Sequence, residues 1–240
     1  MKKGLLIVIE GIDGAGKSTQ AKSLLRKLRA RGVEAVYFRE PTRGKWGREL
    51  KRKAKKDGSL TPEQELELFL KDRRENVEKN LRPALRRKKI IILDRYYFST
   101  IAYQGAKGID RARIRALNEK FAPRPDIVFI LDIGAGDGLA RIAGRKKKDV
   151  LFEREEYLRK VRKIFRSFKG RRFIHIDAGR DREEIGRRIY ETSLLYVKRR
   201  QLTRSPLLSP AFQGGDEKRG SGLTPNKPRH SCRGVEGLMP

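Results

Sequence analysis

Eight residues near the start of the sequence carry its strongest chemical signal: Gly11-Ile12-Asp13-Gly14-Ala15-Gly16-Lys17-Ser18, followed by Thr19. They fit the phosphate-loop pattern GxxxxGK(S/T) without a mismatch. Glycines at these spacings let backbone N–H groups turn inward around phosphate oxygens. Lys17 then reaches the β- and γ-phosphates of a nucleoside triphosphate, and the Ser18 hydroxyl offers an oxygen to Mg²⁺. The loop therefore predicts binding of ATP or GTP with Mg²⁺. It does not identify what receives the phosphate.

Other charged residues follow apolar runs. Asp94 and Arg95 come just after Ile90–Leu93, and Arg39 and Arg43 just after Ala35–Phe38. A carboxylate at such an end suits ordering of Mg²⁺-bound water, and an arginine suits phosphate because its planar fork makes paired bonds. Phe69 and Arg73 are four apart, which puts them on one helix face. On spacing alone, Phe69 reads as core beside Leu66 and Leu70. The alternative is a ring that stacks on a base, with the guanidinium donating to the base edge. Such a donor favours thymine or uracil, which carry an O4 acceptor, over cytosine. A basic stretch, Arg145-Lys146-Lys147-Lys148, lies further along.

The elements that must position these residues are legible from the hydrophobic pattern. Leu5–Ile9, Ala35–Phe38, Ile90–Leu93, Ile127–Leu131 and Phe173–Ile176 are short apolar runs of the kind that form buried parallel strands. Between them lie helical patterns. Ser18–Arg29 puts Ala21, Leu24, Leu25 and Leu28 on one face. Thr61-Pro62-Glu63-Gln64 is a capping-box start to a long helix running towards Leu81. A short helix is expected over 137–143, and a last helix opens at Asp181 and runs to about Tyr196. The alternation predicts a doubly wound α/β fold with a five-stranded parallel sheet. The kinase-type domain is expected over residues 1–202. From Thr203 to Pro240, prolines, glycines and serines cluster without periodicity, and the segment reads as a disordered tail.

Four segments in order resemble the thymidylate kinase family, of the nucleoside monophosphate kinase group of P-loop phosphotransferases. They are Ile9–Thr19, Arg39-Glu40-Pro41, Phe69-x-x-x-Arg73, and Asp94-Arg95-Tyr96-x-x-Ser99-x-x-Ala102-Tyr103-Gln104. The resemblance spans roughly Gly4 to Tyr196. It implies transfer of the γ-phosphate of ATP to dTMP, with Mg²⁺, in a protein that pairs as a homodimer. It implies that Asp13 faces the acceptor sugar, that Arg43, supported by Arg39, grips the acceptor phosphate, and that Arg95 touches the transferring groups. Phe69 would stack on the base, Thr100 and Gln104 would line its pocket, and Tyr103 would pack under a deoxyribose. A mobile basic lid over Arg141–Phe152 would supply a catalytic arginine. Arg145 is the expected one, with Arg141 in the helix leading in and Arg154 in the helix leading out. Two places depart from the family pattern: Thr42-Arg43-Gly44 follows Arg-Glu-Pro, and Gly134-Ala135-Gly136 follows the fourth strand. The competing readings are another nucleotide or nucleoside kinase on this scaffold and a P-loop nucleic-acid-binding ATPase.

The formal charge of +30, from 60 basic and 30 acidic residues, leaves two readings open. It is either a heavily solvated surface or an attraction for polyanions. The basic residues are scattered among the kinase segments, so no dedicated nucleic-acid site is expected. One cysteine, Cys232, excludes an internal disulfide and a cysteine zinc cluster. The apolar run from Leu5 ends at Glu10, so neither a signal peptide nor a membrane span is expected, and the chain reads as cytoplasmic. A truncation after Leu202 is expected to keep full turnover and melting temperature. A fall in either, by steady-state assay or calorimetry, would show that the tail contains a folded element.

Overall fold

Five apolar segments form five parallel strands in this computed structural model, which describes residues 4–55, 60–142 and 148–202. The strands are β1 (Leu5–Gly11), β2 (Ala35–Arg39), β3 (Ile90–Asp94), β4 (Ile127–Asp132) and β5 (Phe173–Asp177). Their order across the sheet is β2-β3-β1-β4-β5. The central strands β1 and β3 are buried along their whole length, which is why they read as unbroken apolar runs rather than as an alternation. The edge strands β2 and β5 are only partly buried. In the β1–β3 register Ile9 lies opposite Asp94, so the phosphate loop and the Asp94-Arg95 turn leave adjacent strands at the same end. That end is where open α/β sheets bind ligands.

Helices cover both faces. In chain order they are α1 (Lys17–Arg29), α2 (Lys45–Lys55), α3 (Pro62–Asn76), α4 (Arg82–Arg86), α5 (Tyr97–Ala106), α6 (Arg111–Glu119), α7 (Ala135–Ile142), α8 (Lys148–Ser167) and α9 (Arg182–Leu202). The capping box at Thr61 is present: Gln64 N–H donates to Thr61 Oγ1 at 3.2 Å, and Thr61 N–H donates to Gln64 Oε1 at 3.0 Å. The long helix expected to reach Leu81 does so, but not as one α-helix. After Asn76 a π-helical turn runs over Val77–Leu81, and the Arg82 N–H bonds five residues back to the Val77 carbonyl. Pro83 follows immediately. A proline has no N–H for the helical ladder and its ring crowds the preceding turn, so the widened turn takes up the mismatch. The last helix is longer than its sequence pattern indicated, extending to Leu202. Asp181 caps it by accepting from the Glu183 and Glu184 N–H groups. Among the described residues no helix is long and apolar enough to cross a membrane.

The core is a layer of strand residues, with Ile7, Val8, Ile92 and Phe129 fully buried, packed under Leu24 and Leu28 of α1 and Tyr97 and Phe98 of α5. A second contact fixes the phosphate loop from outside. Gly14 has a positive φ of 82° and lies so close to α7 that a Cβ there would sit 2.0 Å from the Gly138 carbonyl oxygen. A Cβ on Gly138 itself would sit 2.7 Å from the Asp13 carbonyl oxygen and 3.2 Å from Ile12 Cδ1. The loop and α7 meet backbone to backbone.

Gly138→Ala tests this contact. Glycine to alanine inside a helix ordinarily stabilises by about 0.8–1 kcal/mol. Here the added methyl pushes on the loop, and overpacking costs about 1–3 kcal/mol. The expected result is a lower melting temperature with a several-fold rise in the KM for ATP. A more stable protein with unchanged ATP kinetics would contradict the contact.

Candidate active site

The phosphate loop connects β1 to α1. Gly16 takes a left-handed conformation, φ 84°, at the N-cap of α1, and so turns the first helical N–H groups towards the loop. Lys17 is buried and its Nζ donates to the Ile12 carbonyl at 2.6 Å, so the side chain folds back over the loop. Burial pushes its ammonium down to about 7, and the Arg95 charge adds to that, while Asp13, Asp94 and Glu10 oppose it. This is a cation held where its charge is costly until an anion arrives.

Asp94 ends β3 and is fully buried. Its Oδ2 accepts from the Ser18 hydroxyl and, at 3.1 Å, from the Tyr37 hydroxyl, with Arg39 Nε at 3.8 Å. Its Oδ1 is buried without a partner among the described residues. Arg95 comes next, with φ 70°, a left-handed backbone that is strained for a residue with a side chain. The Arg95 N–H donates to the Ile9 carbonyl at 3.1 Å, which turns the chain back over β1. The guanidinium pairs with Asp13, donates to Ser99 Oγ at 3.2 Å and lies 5.3 Å from the centre of the Tyr103 ring. Burial opposes the Arg95 charge, but Tyr103, Asp13 and Glu10 outweigh it, and the group stays firmly cationic. Burial also acts against the Asp13 charge, yet Arg95, Lys17 and Arg154 together hold its carboxyl below the usual range.

Beside this phosphate end opens a pocket of about 500 Å³. Asp13, Arg39, Phe69, Arg73, Arg95, Thr100, Tyr103 and Gln104 all line it. Phe69 is half-exposed at its wall, whereas Leu66 three residues earlier is in the core; the phenyl ring is thus free to meet a ligand. Arg73 is more constrained than its spacing implied. Only 2% of its side chain is exposed, and three of its nitrogens are already engaged: with Glu40 at 2.7 Å, Asn118 at 2.6 Å and Thr100 Oγ1 at 3.1 Å. Gln104 donates its amide N–H to Glu65 at 2.9 Å, and Lys107 also pairs with Glu65. The Gln104 Oε1 is buried without a partner among the described residues. The Tyr103 hydroxyl accepts from the Asp13 N–H at 3.1 Å, and burial pushes its phenol up to about 12, so it stays neutral.

With that geometry in place, comparison with known proteins is decisive. A family model described as thymidylate kinase matches residues 9–189. The chain belongs to the thymidylate kinase family. A thymidylate kinase of Akkermansia muciniphila is 48% identical over 188 residues, which is 78% of this chain and 90% of that protein. One of Brachyspira hyodysenteriae is 44% identical over 190 residues, covering 79% of this chain and 93% of that protein. A probable thymidylate kinase of Archaeoglobus fulgidus is 43% identical over 181 residues, or 75% of this chain and 90% of that protein.

Of the two arginines expected at the acceptor phosphate, Arg39 lines the pocket and Arg43 does not. That residue is exposed ahead of α2 and outside the pocket lining, and its carbonyl accepts from Arg48 Nη1 at 2.9 Å. Arg39 is the arginine that reaches the pocket from this segment. The three arginines around the lid also separate. Arg141, on α7, donates to the Ala178 carbonyl at 3.1 Å. Arg154, on α8, lines the pocket. Arg145 lies outside the described residues. Pattern reading missed Tyr157, which lines the pocket and whose hydroxyl donates to the Tyr103 carbonyl at 2.9 Å. It also missed Glu65 and Lys107, which hold Gln104. No local motif marks these three, because their function arises only where α3, α5 and α8 converge. Glu10 was visible as the charge that ends an apolar run.

Lys17→Met tests the phosphate end. Turnover should fall at least 10²- to 10³-fold, as for loss of one transition-state donor, while the fold is kept. An ordinary lysine titrates near about 10.4, and Lys17 in the fold near about 7. The nucleotide-free protein therefore loses stability as pH falls from about 10 to about 7. The methionine variant should lack that loss, so its advantage in melting temperature is largest at neutral pH. Near-normal turnover in Lys17→Met would sink the assignment of this loop.

Proposed function

We propose that the pocket binds dTMP beside ATP on the phosphate loop, and that the γ-phosphate passes directly between them to give ADP and dTDP. The single observation that carries the acceptor assignment is Gln104. Its amide nitrogen is committed to Glu65, so its orientation is fixed, and its free oxygen is a buried acceptor in the pocket wall. A buried acceptor needs a donor. Thymine and uracil present N3–H, whereas cytosine presents a lone pair at that atom. Phe69 supplies a face for stacking, and Tyr103 crowds the sugar side, where a ribose 2′-hydroxyl would need room.

Transfer of this kind is positioning plus neutralisation of charge, without a covalent enzyme intermediate. Lys17 donates to the β- and γ-phosphates. Arg95, held by Ser99 through Nη1 and by Asp13 through Nη2, reaches towards the phosphate of the acceptor, with Arg39 and Arg154 adding charge at the pocket rim. Ser18 and Asp94 fit Mg²⁺: both offer hard oxygen, and Asp94 Oδ1 is an unfilled acceptor suited to a metal-bound water. When bound, the ion shields the triphosphate charge and orients the terminal phosphoryl group. Arg145 remains the lid residue assigned to the developing charge. Family membership also supports a homodimer, which sedimentation would test.

A coupled ADP-release assay over a panel of monophosphates tests the acceptor. Turnover should be best with dTMP, weaker with dUMP, and roughly 10- to 100-fold lower or worse with dCMP, AMP and GMP, since a mismatched buried hydrogen bond costs about 1–3 kcal/mol. If AMP or CMP were the best acceptor, the reading of the pocket would be wrong.

A further inference from the structure

The helix that carries Ser99, Thr100, Tyr103 and Gln104 into the pocket begins without a cap of its own. The N-cap of α5 is Tyr96, which makes no side-chain capping bond. The missing acceptor comes from another strand. Glu10, the penultimate residue of β1, is fully buried, and its Oε1 accepts from the Tyr96 N–H at 2.7 Å and from the Ser99 N–H at 3.1 Å. Its Oε2 accepts from the Ser99 hydroxyl. That hydroxyl has one proton, and giving it to Glu10 leaves the oxygen as acceptor for Arg95 Nη1 at 3.2 Å. The order of donation is therefore fixed along the chain Arg95 to Ser99 to Glu10. Burial works strongly against the Glu10 charge, pushing its carboxyl up to about 7. A purely structural cap has no need of an ion in so unfavourable a place, because a neutral amide also caps a helix.

We propose that Glu10 is a positioning residue: acting through the Ser99 hydroxyl, it orients the Arg95 guanidinium towards the transferring phosphate, besides capping α5. The proposal rests on the reading that Arg95 contacts the transferring groups. The backbone turn at Arg95 is strained and does not fix the side chain by itself. Asp13 fixes one end of the guanidinium and Ser99 the other, and Ser99 can serve only while Glu10 accepts its proton.

Glu10→Gln separates the two roles. Its Oε1 keeps both backbone acceptor bonds, so the cap survives. Its Nε2 replaces Oε2 and donates to Ser99 Oγ, so the Ser99 hydrogen loses its acceptor at residue 10 and the order of donation from Arg95 through Ser99 is no longer fixed. The opposite amide orientation would face two backbone N–H groups with an NH₂, which is worse. The expected result is a melting temperature close to wild type with kcat reduced about 10- to 100-fold, the scale of a misplaced catalytic group. Ser99→Ala, which removes the relay hydroxyl and leaves Glu10 and the cap in place, should lose kcat to a similar degree. Adding Glu10→Gln to Ser99→Ala, or to Arg95→Ala, should cost no further kcat, because the relay is already broken. Wild-type kcat in a folded Glu10→Gln, or a full additional loss in the Arg95→Ala background, would overturn the proposal. If Glu10→Gln does not fold, wild-type kcat in Ser99→Ala overturns it equally. If Arg95→Ala itself keeps normal kcat, the underlying reading of Arg95 fails instead, and the two failures are distinguished.

Discussion

The constraint on which this structure turns is the cost of holding cations close together before their anionic ligands arrive. Lys17 and Arg95 occupy the mouth between β1 and β3, where Lys17 has lost most of its hydration and feels the charge of Arg95. Acidic partners keep the arrangement intact. Asp13 pairs with Arg95, Asp94 ties Ser18, Tyr37 and Arg39 together, and Glu10 stands behind Ser99. Each of these carboxylates lies at or beside the end of a central strand. The sheet brings opposite charges within reach of one another there, with Lys17 and Arg95 held largely buried among them. A polyphosphate entering such a site meets Arg95 already oriented by its partners, and Lys17 has only to turn from the Ile12 carbonyl to reach it.

The rest of the fold serves that geometry. Parallel strands of matching register put two loops side by side, and the burial of β1 and β3 makes the register hard to slip. On one flank α7 clamps the phosphate loop through Gly138. On the other, α3 and α5 form the pocket walls, joined where Arg73 donates to Thr100, and the same guanidinium is held in a buried pair by Glu40 after β2 and by Asn118 at the end of α6. Breaking such a pair strands a charge in the interior, at a cost of about 3–5 kcal/mol. In this position Arg73 is part of the framework of the pocket as well as part of its lining.

Local signals and convergent ones differed in how readable they were. All five strands were visible because a buried parallel strand shows itself as a short apolar run, and the phosphate loop because its backbone demands glycines at fixed spacing. Caps at Thr61 and Asp181 were equally plain, since capping is chemistry between near neighbours. Helix α2 was not foreseen; it is strongly basic, and its apolar face rests on few residues, Trp46 and Leu50 four apart, among many lysines and arginines. The widened turn over Val77–Leu81 was hidden because an apolar face tolerates one extra residue. In the site, most residues inside motifs line one pocket, but the engagement of Arg73 and the exposure of Arg43 depend on which acceptors other segments bring. Glu65 and Tyr157 sit on helices whose pattern says only which face is buried, and no short spacing links them to Gln104 or Tyr103; Lys107 is only three residues from Gln104, but its pairing with Glu65 depends on α3.

The left-handed backbone at Arg95 sets stability and chemistry against each other at one position. Glycine or asparagine would relax that turn, and a non-glycine residue there costs on the order of 1–3 kcal/mol. A library selected for heat resistance alone would therefore drift away from arginine at this site and discard the guanidinium. Selection for turnover would pull it back. On the proposed role of Arg95 the strain persists under a demand for catalysis, so residue 95 reports which pressure a lineage of such sequences has been under.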